Sequence, residues 1–102
     1  MVWAWWDFCG RCCVTIGEFQ EHIRQKYGTR DAERGAAATF MWFMEEVGEL
    51  ASALGDFDQK NREEEFADVF AWLCTLANIS GVDMTKAVRE KYLSGGGPQG
   101  YK

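Results

Sequence analysis

Apolar positions recur along this chain at i, i+3 and i+4, the spacing of one face of an α-helix, and no stretch alternates apolar with polar residues as a strand does. A first helix is expected from Thr15 or Gly17 to about Tyr27, with Phe19, Ile23 and Tyr27 on one stripe. Gly28 to Gly35 reads as a charged connector. A second helix follows from about Ala36 to Leu54, with Phe40, Phe43, Met44, Val47, Leu50, Ala51 and Leu54 on its apolar stripe. Gly55 to Asn61 forms a short loop of the kind that joins antiparallel neighbours. A third helix is expected over about Arg62 to Ile79, then a break at Ser80-Gly81-Val82. Asp83 is placed to cap a fourth helix running to about Leu93. Gly95-Gly96-Gly97-Pro98 ends regular structure. The expected architecture is all-α: an antiparallel bundle of about four helices per chain, completed by oligomerisation.

Composition narrows the class. The chain has 102 residues, of which 47% are hydrophobic and 15% aromatic. That is too apolar for disorder and enough for one domain whose small core profits from a second copy, as homodimer or homotetramer. Three segments are expected: a Trp/Cys-rich extension over 1–14, a helical domain over 15–93 and a Gly-rich tail over 94–102. The net charge of −5 disfavours a nucleic-acid polymer as partner. No apolar run approaches the ~20 residues of a membrane span. The start lacks the basic region of a secretory signal. A cytoplasmic location with free thiols is therefore the expectation for the four cysteines. Cys9, Cys12 and Cys13 have half the spacing of a zinc knuckle, but no second pair follows.

The acidic excess is concentrated in two clusters, Glu45-Glu46-Val47-Gly48-Glu49 and Glu65-Phe66-Ala67-Asp68. Glu46 and Glu49 share one side of the second helix, and Glu65 and Asp68 share one side of the third. Folding the two helices against each other brings four carboxylates together, which repel unless a cation lies between them. Oxygen ligands without histidine or cysteine point to Mg²⁺, with Mn²⁺ as the alternative. Glu65 and Asp68 share their face with Val69, Trp72, Leu76 and Ile79, the expected interior stripe, whereas Glu63 and Glu64 read as solvated charges at a helix start. The competing reading pairs the interior carboxylates with Arg24, Arg34 or Lys91. Trp42 and Trp72 have two readings, as core residues or as platforms for a nucleobase beside a metal–phosphate site. Lys91, on the stripe of Met84 and Val88, either snorkels outward or meets an anion.

The segment Phe43-Met44-Glu45-Glu46-Val47-Gly48-Glu49-Leu50-Ala51, followed by Glu64-Glu65-Phe66-Ala67-Asp68-Val69, resembles the MazG-like nucleoside triphosphate pyrophosphohydrolases. The family pattern is Glu-Glu-x-x-Glu, a spacer, then Glu-x-x-Asp, and the spacer here is the 15 residues from Leu50 to Glu64. Leu76-Ala77-Asn78, Gly81-Val82-Asp83 and Glu90-Lys91-Tyr92 continue the likeness, which covers about Thr15 to Tyr92. The resemblance implies an all-α fold completed by pairing of subunits. It also implies Mg²⁺-dependent cleavage of an NTP or dNTP between the α- and β-phosphates, in the service of nucleotide-pool cleaning. It implies Glu46, Glu49, Glu65 and Asp68 as metal ligands, Glu45 or Glu49 as the catalytic group that positions or deprotonates water, and Lys91 as a phosphate contact, while Trp42 and Trp72 keep the substrate-platform reading that their placement suggests. Where many relatives carry an Asn and an Arg after that lysine, this chain has Ser94 to Gly100. Two alternatives stand beside this reading: a phosphoribosyl-ATP pyrophosphohydrolase, and a non-catalytic helical dimer that binds nucleotide or protein.

Overall fold

The computed structural model describes residues 13–95. Most of the Trp/Cys-rich segment and most of the Gly-rich tail lie outside the described residues, so the segment limits expected there are not addressed by the structure. The described chain is helical throughout: α1 spans Ile16–Leu54, α2 spans Gln59–Ser80 and α3 spans Met84–Val88, continued by a π-helical segment, Arg89–Leu93. Among the described residues there is no strand, and no helix is long and apolar enough to cross a membrane.

The start of α1 is fixed by a reciprocal cap. The Glu18 amide donates to the Thr15 hydroxyl at 3.0 Å, and the Thr15 amide donates to the Glu18 carboxylate at 2.8 Å. The expected connector from Gly28 to Gly35 is instead helix. Arg30, Ala32, Glu33 and Arg34 are good helix formers and carry the turn onward. Only Gly35 departs, with φ 83° and ψ 168°. The two expected N-terminal helices are therefore two arms of one bent element, 16–34 and 36–54. Gly35 takes a conformation that is essentially closed to residues with a Cβ.

Arg34 holds this bend. Its guanidinium donates to the Asp31 carboxylate at 2.9 Å on the first arm and to the Thr39 hydroxyl at 3.1 Å on the second. It also lies 5.1 Å from the centre of the Trp72 ring on α2. Asp31 and Thr39 are buried, at 3% and 0% exposure, so the bend is fastened by polar groups inside the fold.

The loop before α2 is shorter than expected because Asp58 caps it. The Asp58 carboxylate accepts from the Asn61 amide at 3.1 Å, so the helix begins at Gln59 rather than near Arg62. At the other end Gly81 is left-handed, φ 71°, and the Val82 amide returns to the Ala77 carbonyl at 2.8 Å. Asp83 caps α3 through the Lys86 amide at 3.2 Å, as the sequence suggests. Gln20 locks this corner to α1. Its amide nitrogen donates to the Asn78 side chain and the Val82 carbonyl, and its oxygen accepts from the Met84 amide.

The second arm of α1 runs antiparallel to α2, with Trp42 against Trp72 and Glu46 near Glu65 and Asp68. The first arm covers the C-terminal half of α2, with Phe19 stacked on Phe70 at 5.5 Å and Gln20 bonded to Asn78. The fully buried apolar residues are few: Ile23, Ala53, Cys74 and Ala77. The apolar stripe expected on the second arm is only partly inside. Phe40, Met44 and Leu54 are each about half exposed, and Phe66 on α2 likewise. The packed face runs instead through Thr39, Phe43, Glu46, Leu50 and Ala53. On α2 the deepest positions are Cys74, Thr75 and Ala77 rather than the stripe from Val69 to Ile79, which is intermediate.

The expectation of free thiols holds at Cys74, which is buried and unbridged. It fails at Cys13, which is disulfide-bonded.

Candidate metal centre and its neighbouring cavity

The face that carries Thr39, Phe43, Leu50 and Ala53 also carries Glu46, which places a carboxylate on the packed side of the second arm. Helical spacing sets Glu45 and Glu49 on its flank, where both are exposed. On α2, Glu65 and Asp68 share a side one turn apart. Two groups of three result. Glu45, Glu46 and Glu49 can each bring a carboxylate oxygen within 4.8 Å of the others, and so can Glu46, Glu65 and Asp68. Glu46 belongs to both, so the acidic residues form one continuous cluster between the helices.

The electrostatics of the cluster are those of anions short of a counter-charge. Burial pushes the Glu46 carboxyl above its ordinary range, and the charges of Glu49, Asp68, Glu65 and Glu45 push it further. Burial does the same to Glu65, followed by the charges of Glu49 and Asp68. One oxygen of Glu65, Oε1, is buried and has no hydrogen-bond partner. The bland reading, in which basic side chains neutralise these carboxylates, is not what the fold does. Arg24 pairs with Glu21, and Arg34 pairs with Asp31. Among the described residues no ion pair reaches the cluster.

The donor set fits a hard divalent cation. It consists of carboxylate oxygens alone, of the kind Mg²⁺ and Mn²⁺ take, and the orphaned Glu65 oxygen is of the kind a cation satisfies. His22 lies elsewhere, beside Phe19 with ring centres 6.4 Å apart.

The remaining residues expected at the site divide into two groups. Trp42 and Trp72 are brought together, their rings stacked 18° from parallel at 6.2 Å. Trp42 keeps 48% of its surface exposed, whereas Trp72 is half-buried and also carries the Arg34 guanidinium. Trp72 is thus the more deeply packed of the two, and Trp42 keeps open ring surface. Lys91 is not drawn toward the acids. It is exposed on the π-helical segment, with its ammonium 5.8 Å from the Tyr92 ring.

A cavity of about 300 Å³ adjoins the cluster. Asp68 and Trp72 lie on one side of it, and Tyr27, Asp31 and Arg34 of the first arm on the other. Asp31 was not among the residues expected at the site. Its signal was hidden, because the segment 28–35 reads as a surface connector when the helix is not carried through it.

Comparison with known proteins agrees with this geometry. The family model described as "MazG nucleotide pyrophosphohydrolase domain" matches residues 34–92, a span that includes all the clustered carboxylates. A curated relative from Cyanophage S-2L, named dATP/dGTP diphosphohydrolase, is 32% identical over 78 residues, covering 76% of this chain and 70% of the relative.

Proposed function

The chain belongs to the MazG nucleotide pyrophosphohydrolases and is a hydrolase of that class, and on this premise we propose that it is a Mg²⁺-dependent enzyme cleaving an NTP or dNTP between the α- and β-phosphates. Glu46, Glu49, Glu65 and Asp68 hold the cation in this reading. The observation that carries it is the cluster itself: carboxylates from two helices within 4.8 Å, with a buried oxygen of Glu65 left unpartnered. A bound Mg²⁺ supplies charge neutralisation for the phosphate chain and polarises its oxygens.

The protein's own groups do the rest. Glu45 is exposed beside Glu46 and is placed to orient a water molecule and accept its proton. Glu49, close to both Glu46 and Glu65, shares that role with cation binding. Trp72, backed by Trp42, offers an aromatic wall to a nucleobase in the cavity beside Asp68. Lys91, exposed outside the acidic cluster of its own chain, is assigned to the phosphates by its place in the family pattern alone. The relative's printed name makes the purine deoxynucleoside triphosphates the first substrates to examine.

Phe40, Met44, Leu54 and Phe66 are half-exposed, apolar surface that a second copy would bury. A homodimer or homotetramer that covers this face accounts for them. Nucleotide-pool cleaning in the cytoplasm is the biological role this chemistry suits.

The experiment is a pyrophosphate-release assay over NTPs and dNTPs with and without Mg²⁺. The proposal expects metal-dependent release of pyrophosphate together with a nucleoside monophosphate. Release of orthophosphate would overturn the cleavage position. Nucleotide binding without turnover would favour a non-catalytic binder.

A further inference from the structure

Asp31 lines the cavity beside Asp68, and one of its carboxylate oxygens has no hydrogen-bond partner. Asp31 is 3% exposed, and its Oδ1 accepts from the Arg34 guanidinium at 2.9 Å. Its Oδ2 is buried and has no hydrogen-bond partner. A buried acceptor left unpaired is costly, and in native proteins such a group calls for a specific explanation. A donor that arrives with a ligand is one. The cavity is of the right scale: about 300 Å³ is at the low end for small-molecule sites and suits one ring system rather than a whole nucleotide.

Its position says which end of a nucleotide would enter. Asp68 belongs both to the acidic cluster and to the cavity lining. A molecule whose phosphates sit at the cluster therefore has its other end within reach of Asp31. Trp72 supplies an aromatic wall, and Arg34 supplies hydrogen-bond donors beyond the two spent on Asp31 and Thr39. A carboxylate acceptor beside a guanidinium donor complements a base edge on which an amino group neighbours a ring nitrogen or carbonyl acceptor.

We infer that Asp31 is the base-reading residue of this enzyme, its Oδ2 accepting a hydrogen bond from the exocyclic amino group of adenine, guanine or cytosine. This rests on the cluster being the phosphate site. The amino group projects from the rim of the ring, where a single buried oxygen can meet it. A carbonyl oxygen in the same place would set two lone-pair-bearing atoms against each other. Uracil, thymine and hypoxanthine lack the amino group, and each puts a carbonyl at the position where adenine or cytosine carries it. A site built to bond a substrate N–H rejects the analogue lacking it, because the buried partner is left unsatisfied.

The test compares kcat/KM for matched nucleotides on the full chain with Mg²⁺: dATP against dITP, dGTP against dITP, and dCTP against dUTP. The amino-bearing member should be preferred by about 10- to 100-fold in the pairs whose base the enzyme accepts. Asp31→Asn, checked for native helical content, can keep an oxygen toward Arg34 while turning an amide N–H₂ into the cavity, and the preference should collapse. Equal turnover within every pair by the wild type overturns the inference, as does an Asp31→Asn protein that keeps the same ratios. Should that variant not fold, the wild-type ratios decide. Turnover without discrimination removes the role of Asp31 alone, and no turnover of any nucleotide removes the phosphate-site reading and this inference with it.

Discussion

Glu46 and Asp68, on helices joined only by a short capped loop, bring carboxylate oxygens within 4.8 Å of each other, with Glu65 as the third member. Two like charges so close destabilise each other: burial raises the affinity of Glu46 for a proton, and the neighbouring carboxylates raise it further. Replacing either by its amide removes a ligand and a repulsion together. Glu46→Gln and Asp68→Asn should each lower pyrophosphate release by about 10²-fold or more, since charge stabilisation by a bound cation is worth several kcal/mol. Helical content by circular dichroism should persist, and the metal-free variants should melt no lower than the wild type.

The same conflict sets a pH dependence. Glu46 and Glu65 both hold their protons more tightly in the fold than at their ordinary value of 4.5. The folded state therefore binds more protons than the unfolded state above that value. Their contribution is most favourable below 4.5 and is lost as pH rises through the raised values. Glu21 runs the other way. Arg24 lowers it to about 2, so its contribution is present above 4.5 and is lost as pH falls toward that value. In metal-free protein, wild type should lose melting temperature relative to Glu46→Gln as pH rises from about 4.5. Adding Mg²⁺ at neutral pH should reverse the deficit of the wild type and leave the variant nearly unchanged. Parallel melts with EDTA and with Mg²⁺ read this directly.

Gly35 carries the bend in α1 with a positive φ, and a Cβ added there would meet open space. The cost of Gly35→Ala is therefore backbone strain alone, about 1–3 kcal/mol. It should appear as a melting midpoint lower by several degrees, with loss of the Arg34–Thr39 link across the bend. A neutral Gly35→Ala would mean that the two arms can straighten without penalty.

Trp42 and Trp72 stack across the two helices at 6.2 Å. A double-mutant cycle with Trp42→Ala and Trp72→Ala should give a coupling of about 0.5–1.5 kcal/mol in stability. Trp72→Ala alone should be the more destabilising, because it also strips the Arg34 guanidinium of its aromatic partner.

The half-exposed apolar side chains make a separate forecast. Met44→Glu adds a charge to the face that carries Phe40 and Leu54. Sedimentation should show an oligomer for the wild type and a smaller species for this variant. A wild type that is monomeric at all concentrations would contradict the covered-face reading.

Much of the site was legible in the chain. Glu46, Glu49, Glu65 and Asp68 stand one helical turn apart in pairs, and that spacing alone fixes which carboxylates share a side. The cap at Asp83 was equally plain, because its side chain bonds only to a local amide. The bend at Gly35 was not. Residues 28–35 are charged and contain two glycines, a pattern that suits a connector as well as a helix. The choice is made by tertiary partners, Thr39 and Trp72, that the local sequence does not announce. Asp31 was lost with that segment. Periodicity marks the stripe from Phe40 to Leu54 as apolar but does not say whether the same chain covers it, and the fold leaves Phe40, Met44 and Leu54 half-exposed.

The most direct test of the central claim is calorimetric titration of the metal-free protein with Mn²⁺, run beside the Glu46→Gln/Asp68→Asn double variant. The account predicts saturable binding to the wild type, competed by Mg²⁺, and none above background in the variant. Absence of binding to the wild type, or equal binding to both proteins, would contradict it.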